Sequence, residues 1–115
     1  MCGRYLLQTA SAELKRVFGF VELPNLAPRY NIAPTQAAPV LRQRREPAGE
    51  RTLQALRWGL VPSWTKDLKS GAPLINLRAE TVQRKFGAAF RGRRCLVPAD
   101  GFYEWQGEGK EKRPY

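Results

Sequence analysis

The chain contains no histidine, and that gap removes imidazole as an acid, a base or a metal ligand from anything these 115 residues do alone. Cysteine is nearly as scarce. Two thiols, Cys2 and Cys95, are too few for a disulfide scaffold or a zinc site of ordinary spacing, so no metal is expected. No apolar run approaches the roughly 18 residues that span a bilayer, and the N-terminus carries no charged-then-apolar leader. The expectation is therefore a soluble, cytoplasmic protein without a membrane partner.

Acidic residues are also in short supply. Ten Asp and Glu face 20 Lys and Arg, a formal charge of +10. Neutralising phosphates with such cations releases counterions, so a polyanion is a natural partner. Arg outnumbers Lys by 14 to 6, and guanidinium forks match phosphates and stack on bases, which favours nucleic acid over a lipid surface. Surplus Arg also serves plain solubility, and charge alone leaves the two readings level. With 43% hydrophobic residues and three Trp, four Tyr and five Phe, the chain has enough apolar surface for one packed core, which excludes wholesale disorder. A single domain over 1–115 is expected.

The pattern along the chain predicts an α+β fold. Arg4 to Gln8 reads as a strand, followed by a short helix capped by Thr9 or Ser11, with Leu14 and Phe18 on its buried face and Gly19 as its stop. Ala38 to Gln43 and Thr52 to Trp58 flank a Pro47-Ala48-Gly49 turn and predict a hairpin. Val82, Phe86 and Phe90 recur every fourth residue, predicting a second helix from Ala79 to about Phe90. Cys95 to Pro98 is apolar, with Cys95 expected as an inert buried thiol. Phe102 to Trp105 reads as a strand that pairs through the Gly107 to Gly109 loop with another beginning near Arg113. That hairpin breaks off at Tyr115, so the expectation is a truncated or split form of a larger domain.

Cys2 follows the initiator methionine, and removal of Met1 would expose a terminal cysteine. Its amine and thiol have reference pKa values of roughly 8 and 8.5, so neutral amine exists at cellular pH. Such a 1,2-aminothiol condenses with an aldehyde and closes through sulfur to a thiazolidine. Neither an internal Cys nor a Lys completes both steps. Position alone is also compatible with a small residue merely tolerated there.

Five blocks occur in order: MCGRY, RYNIAPTQ at Arg29 to Gln36, WGLVPSW at Trp58 to Trp64, PLINLRAET at Pro73 to Thr81, and RCLVPADGFYEW at Arg94 to Trp105. Together they closely resemble the SRAP family, the SOS-response-associated peptidase domain, across nearly the whole chain. The resemblance implies a self-processing protein that crosslinks its terminal Cys to abasic sites in single-stranded DNA and shields the lesion, with no cofactor. It implies Cys2 as the nucleophile, Asn76 as the residue orienting amine and sugar, and Glu104 as the acid/base carboxylate. By the same resemblance Arg4 and Arg78 hold phosphates, Asn31 and Pro34 line the DNA groove, and Trp64 lies against the bases. Leu77 departs from the family's commoner small residue. The family pattern also continues to a downstream histidine that this sequence does not reach, which implies a C-terminal fragment completing the domain. The fold expected from it is a strand-rich, barrel-like sheet system with two packed helices, of which this is the N-terminal part.

On the residues alone, alternatives stay open. Glu104, on the same strand face as Phe102, is either a proton carrier in apolar surroundings or a solvated carboxylate. Asn76 also reads as a turn residue, Arg78 as a surface charge at a helix start, and each Trp as core. Two other functions fit parts of the pattern: a noncovalent single-stranded DNA-binding module, and an N-terminal-Cys amidase, for which the charge has no purpose.

Overall fold

A computed structural model of the chain describes residues 3–67, 74–107 and 109–115. In order, β1 (Arg4–Leu7), α1 (Ser11–Phe18), β2 (Arg29–Ile32), β3 (Ala37–Gln43) and β4 (Arg51–Arg57) precede α2 (Ala79–Gly92), β5 (Gly101–Tyr103), β6 (Trp105–Gln106) and β7 (Arg113–Pro114). The fold is α+β.

β1 is the central strand of a three-stranded antiparallel sheet in the order β2-β1-β5, with Tyr5 opposite both Ile32 and Phe102. β3 and β4 form the expected hairpin, in unbroken register from Ala37 opposite Arg57 to Gln43 opposite Arg51. Its turn is stapled by Arg44, whose N–H donates to the Glu50 carbonyl and whose guanidinium pairs with Glu50 at 2.7 Å and Glu22 at 2.9 Å. β6 pairs with β7 as a third small sheet. The described strands do not close into a barrel.

The core joins the first two sheets to α1. Tyr5, Leu7, Leu14, Phe20, Ile32, Ala38, Leu41 and Leu53 are buried together, with Phe18, Leu26 and Trp58 packed against them. The Tyr5 and Trp58 rings meet edge to face, 5.4 Å between centroids, a favoured aromatic geometry. β3 buries both of its faces, which is why Ala38 to Leu41 is a continuous apolar run instead of an alternating one.

The helices differ from expectation in instructive ways. α1 ends as predicted, with Gly19 at φ 65° and its N–H donating to the Lys15 carbonyl, the left-handed stop that glycine adopts without steric cost. Neither expected residue caps its start. Ala10 occupies that position, while Thr9 is held by Asp100 and the Ser11 hydroxyl donates to the Pro24 carbonyl at 2.6 Å. α2 is interrupted at Phe86, whose backbone is non-helical (φ −136°, ψ 35°), and none of its described residues is fully buried. Only α1 packs into the core.

The expected Phe102 to Trp105 strand is two strands. β5 pairs with β1, β6 pairs with β7, and Glu104 is the joint between them, its backbone exchanging hydrogen bonds with Tyr115. The Cys95 to Pro98 run forms one bridge, Leu96 with Leu41, and Cys95 is exposed, not buried. A single antiparallel bridge holds the backbone of that run and leaves Cys95, Leu96 and Val97 exposed, while Pro98 is buried.

Candidate functional site

The RYNIAPTQ block is folded by its own side chains. The Gln36 carboxamide oxygen accepts from the Arg29 guanidinium at 2.7 Å and from the Ala33 N–H at 3.1 Å, closing the loop that carries Pro34. Thr35 sits in the left-handed region at φ 71°, where its N–H donates to the Trp58 carbonyl at 2.9 Å. The Trp58 N–H returns a bond to the Gln36 carbonyl at 2.9 Å. These bonds lock the loop to the WGLVPSW block, and Trp58 in turn packs on Tyr5 of the MCGRY block.

Arg4 lies on β1 between two neighbouring strands. Its Nη1 donates to Asn31 Oδ1 on β2 at 2.9 Å, and across the other edge it is paired with Tyr103 on β5. The Tyr103 hydroxyl spans the same sheet, donating to the Tyr30 carbonyl at 2.8 Å. Glu104, half-buried, follows Tyr103 directly. Arg4, Asn31 and Glu104, far apart in sequence, are therefore gathered at one end of the β2-β1-β5 sheet. Phe102, on β5 two residues before Glu104, is 64% exposed.

The other expected residues lie elsewhere. Asn76 and Arg78 are exposed in the connection into α2, where Arg78 takes the N-cap position with extended backbone and its carbonyl accepts from Thr81 Oγ1 at 3.1 Å. Trp64 is 68% exposed and stacks on Phe86, with centroids 6.0 Å apart and planes 13° from parallel. The break in α2 occurs at the residue that meets Trp64. Lys85 and Arg93 line the same hollow of about 130 Å³. Cys2, the expected nucleophile, lies outside the described residues.

Hydrogen bonds from the Thr9 hydroxyl and from the Gln8 and Thr9 N–H groups hold the Asp100 carboxyl below its ordinary 3.8. That clamp ties the end of β1 to the turn before β5. Burial pushes the Tyr5 phenol above its ordinary 10.0, with the Arg29 charge opposing, and its hydroxyl has no hydrogen-bond partner among the described residues. Among the described residues no cluster of three or more His, Cys, Asp or Glu is poised for a metal ion.

Sequence reasoning missed Gln36, Tyr103, Phe86 and Asp100. Gln36 and Tyr103 stand inside recognised blocks, but Tyr103 bonds to a backbone carbonyl 73 positions away, and Gln36 works within a loop whose shape the sequence does not spell out. Asp100-Gly101 carries a turn signal, which explains the turn but not the bonds to Thr9.

Comparison with known proteins matches residues 1–115 to the model of a family described as SOS response associated peptidase (SRAP). The chain is similar to the abasic site processing protein YoaM of Bacillus subtilis, 42% identical over 113 residues covering 92% of this chain and 48% of the relative. It is 36% identical over 138 residues to the abasic site processing protein HMCES of Gallus gallus, covering 100% of this chain and 41% of that one. Among solved structures, a phage-related protein from Bordetella bronchiseptica superposes with a TM-score of 0.74 at 29% identity, covering 98% of this chain and 53% of that chain. The chain spans about half the length of the curated relatives it matches.

Proposed function

Because this chain belongs to the SOS response associated peptidase (SRAP) family, we propose that it acts on abasic sites in single-stranded DNA, joining its N-terminal Cys2 to the lesion and shielding it. The observation that carries this reading is the gathering of Arg4, Asn31 and Glu104 at one end of a sheet whose first strand begins two residues after Cys2. Two residues of chain span at most about 7 Å, so the terminal amine and thiol stay close to Arg4. Glu104 follows Tyr103, the residue opposite Arg4.

The chemistry follows from those groups. Loss of Met1 frees the Cys2 amine, which attacks C1 of the ring-opened sugar aldehyde and forms a carbinolamine. Glu104 delivers the proton with which hydroxide leaves as water, giving an imine. The Cys2 thiol then adds to the imine carbon, its proton passes to the nitrogen, and a thiazolidine closes with one water released in total. No oxidant, metal or organic cofactor enters the balance. Arg4 and Arg78 would hold phosphates on either side, Asn76 would orient the amine and sugar, and Asn31 on β2 with Pro34 in the loop after it would line the groove. Arg is suited to this because its fork matches phosphate oxygens.

The exposed Trp64 supports a single-stranded substrate. Stacking on an aromatic face is worth about 1–3 kcal/mol per base and is open only to unpaired bases. Its support from Phe86, with Lys85 and Arg93 beside it, also suits noncovalent binding in which Cys2 plays no part. A C-terminal fragment completing the domain is part of the proposal, as the source of the family's downstream histidine.

Mass spectrometry after mixing the chain with an abasic single strand decides between these readings. The expected product is one protein plus one oligonucleotide minus one water, from protein lacking Met1, stable without reductant. Binding with no adduct would establish the noncovalent module, and neither binding nor adduct would leave the amidase reading.

A further inference from the structure

Two nearby arginines of the β3–β4 hairpin are treated differently by the fold. Arg44 is neutralised by Glu22 and Glu50, whereas Arg42 pairs with no carboxylate among the described residues. Instead Arg42 lines a hollow of about 390 Å³ together with Arg51, Arg94 and Gln43, with Leu41 and Leu96 as its apolar wall. Arg51 and Arg94 also have no acidic partner among the described residues. Both are nevertheless held in place. Arg51 Nη1 donates to the Phe18 carbonyl at 2.8 Å, and the Arg94 guanidinium carbon lies 5.5 Å from the centroid of the Phe90 ring, within cation–π range. A carbonyl and a ring orient a guanidinium without cancelling its charge.

The backbone adds a donor at the same place. Leu41 and Leu96 exchange hydrogen bonds, but the next pair of that ladder, Gln43 with Arg94, is not made. Successive N–H groups of a strand point to opposite edges. Because the Leu41 N–H points to Leu96 and the Arg44 N–H to Glu50 across the hairpin, the Gln43 N–H points into the opening. None of the residues proposed to meet the lesion lines this hollow. β3 runs seven residues from Ala37, beside the Pro34 loop, to Gln43, which separates the two places by about 20 Å.

We propose that the Arg42, Arg51 and Arg94 hollow is a second phosphate site, which holds the phosphodiester backbone of a nucleic-acid strand at a distance from the residues assigned to the lesion. A guanidinium fork matches phosphate oxygens two at a time. Three positive charges at one hollow exceed what a single phosphodiester neutralises, whereas a strand supplies a charge with every nucleotide and sugars to lie against Leu41 and Leu96. The proposal deepens the substrate reading above. It rests on a nucleic-acid partner and is independent of Cys2 and of any covalent step.

The test uses the Cys2→Ala chain, in which Cys95 is the sole thiol. That thiol is exposed and lines the hollow. Its alkylation by iodoacetamide, an uncharged reagent, is timed with and without an oligothymidylate that carries no abasic site, while filter binding reports strand occupancy across a salt series. The bound strand should slow alkylation roughly tenfold, since reaction needs an open path to the thiol. Arg42→Gln and Arg94→Gln should each remove most of that protection and lower the salt slope by about 0.7, the share of one phosphate contact on a single strand. Arg16→Gln removes the same charge from α1, where Glu13 already pairs with it, and should change neither readout. A strand that binds while Cys95 reacts at its free rate overturns the proposal, as does a slope that falls equally in all three variants, the mark of diffuse charge. Protection by tripolyphosphate or polyglutamate but not by the strand would overturn the strand as occupant. Should a glutamine variant not fold, protection of Cys95 in the Cys2→Ala chain still decides. A strand that does not bind at all sinks this proposal and the nucleic-acid reading together, whereas failure of the Cys2-intact chain to form an adduct on abasic DNA touches only the covalent step.

Discussion

The stretch from β1 to β4 and the stretch from Trp64 to Tyr115 both carry apolar residues but use them differently. In the first, each helix and strand places at least one side chain in the shared core, and Phe20 and Ile32 are essentially inaccessible. In the second, α2 has no buried described residue, and Leu96, Val97, Phe102 and Trp105 face outward. An amphipathic pattern states which face wants to leave water; it does not state that the partner is within the same chain. The second stretch also carries Trp64, Asn76, Arg78 and Glu104, so the less supported region holds much of the proposed chemistry.

The sharpest break between stability and function is expected at Cys2. Cys2→Ala should abolish the stable adduct with abasic DNA and leave noncovalent affinity and the unfolding curve nearly unchanged, as read by unreduced gel shift beside filter binding. A persistent adduct in that variant would exclude thiazolidine closure. Cys95→Ala should crosslink like the parent.

The two stretches should also respond differently to truncation of a helix side chain. Leu14→Ala removes a fully packed group of α1 and should cost about 2–5 kcal/mol in urea unfolding. Phe90→Ala on α2 removes a half-buried ring and its contact with the Arg94 guanidinium, 5.5 Å from the ring centroid, and should cost about 1 kcal/mol or less. Equal losses would mean that α2 belongs to the folding unit after all.

Glu104→Gln should slow adduct formation by roughly 100-fold, the usual scale for a general acid or base, without comparable loss of DNA affinity. Gln keeps the shape but cannot give and recover a proton. The rate is best followed with saturating abasic DNA, in this chain and in a longer one carrying the rest of the domain. An unchanged rate in the longer chain would make Glu104 a structural joint only.

Arg4→Ala and Arg78→Ala come next. Each should weaken binding to all sequences alike and lower the salt slope by about 0.7, the value for one phosphate contact on a single strand. If only Arg4→Ala does so, the DNA path runs along the sheet end and not over the start of α2.

The smallest effect concerns Asp100. Its carboxyl is held below 3.8, so its bonds to Gln8 and Thr9 contribute stability that is complete above the unfolded value and is lost as pH falls through the lower folded one. Asp100→Asn should therefore flatten the acid side of the stability curve below about pH 4, measured by denaturant unfolding at several pH values. An unaltered acid limb would mean the clamp adds nothing in solution.

Local pattern alone determined a good deal. The β3–β4 hairpin was legible because a Pro-Ala-Gly turn separates two short apolar runs, and the stop of α1 because only glycine takes the left-handed cap at no cost. The second helix and the β6–β7 pairing followed from period and turn chemistry, and the five motif blocks carried the family. Tertiary structure decided the rest. Thr9 and Ser11 have the chemistry of helix caps, but Asp100, 91 residues beyond Thr9, and the Pro24 carbonyl compete for their hydroxyls. Cys95 sits in an apolar run and is nevertheless exposed, since burial depends on what packs over a side chain. Phe102 to Trp105 reads as one strand, yet it divides at Glu104 because its two ends pair with different partners, β1 and β7. Arg4 and Asn31 meet through the pairing of β1 with β2. Residue type and spacing set the local backbone preferences of each segment. Which distant group completes a hydrogen bond or covers an apolar face depends on contacts that exist only after the strands have paired.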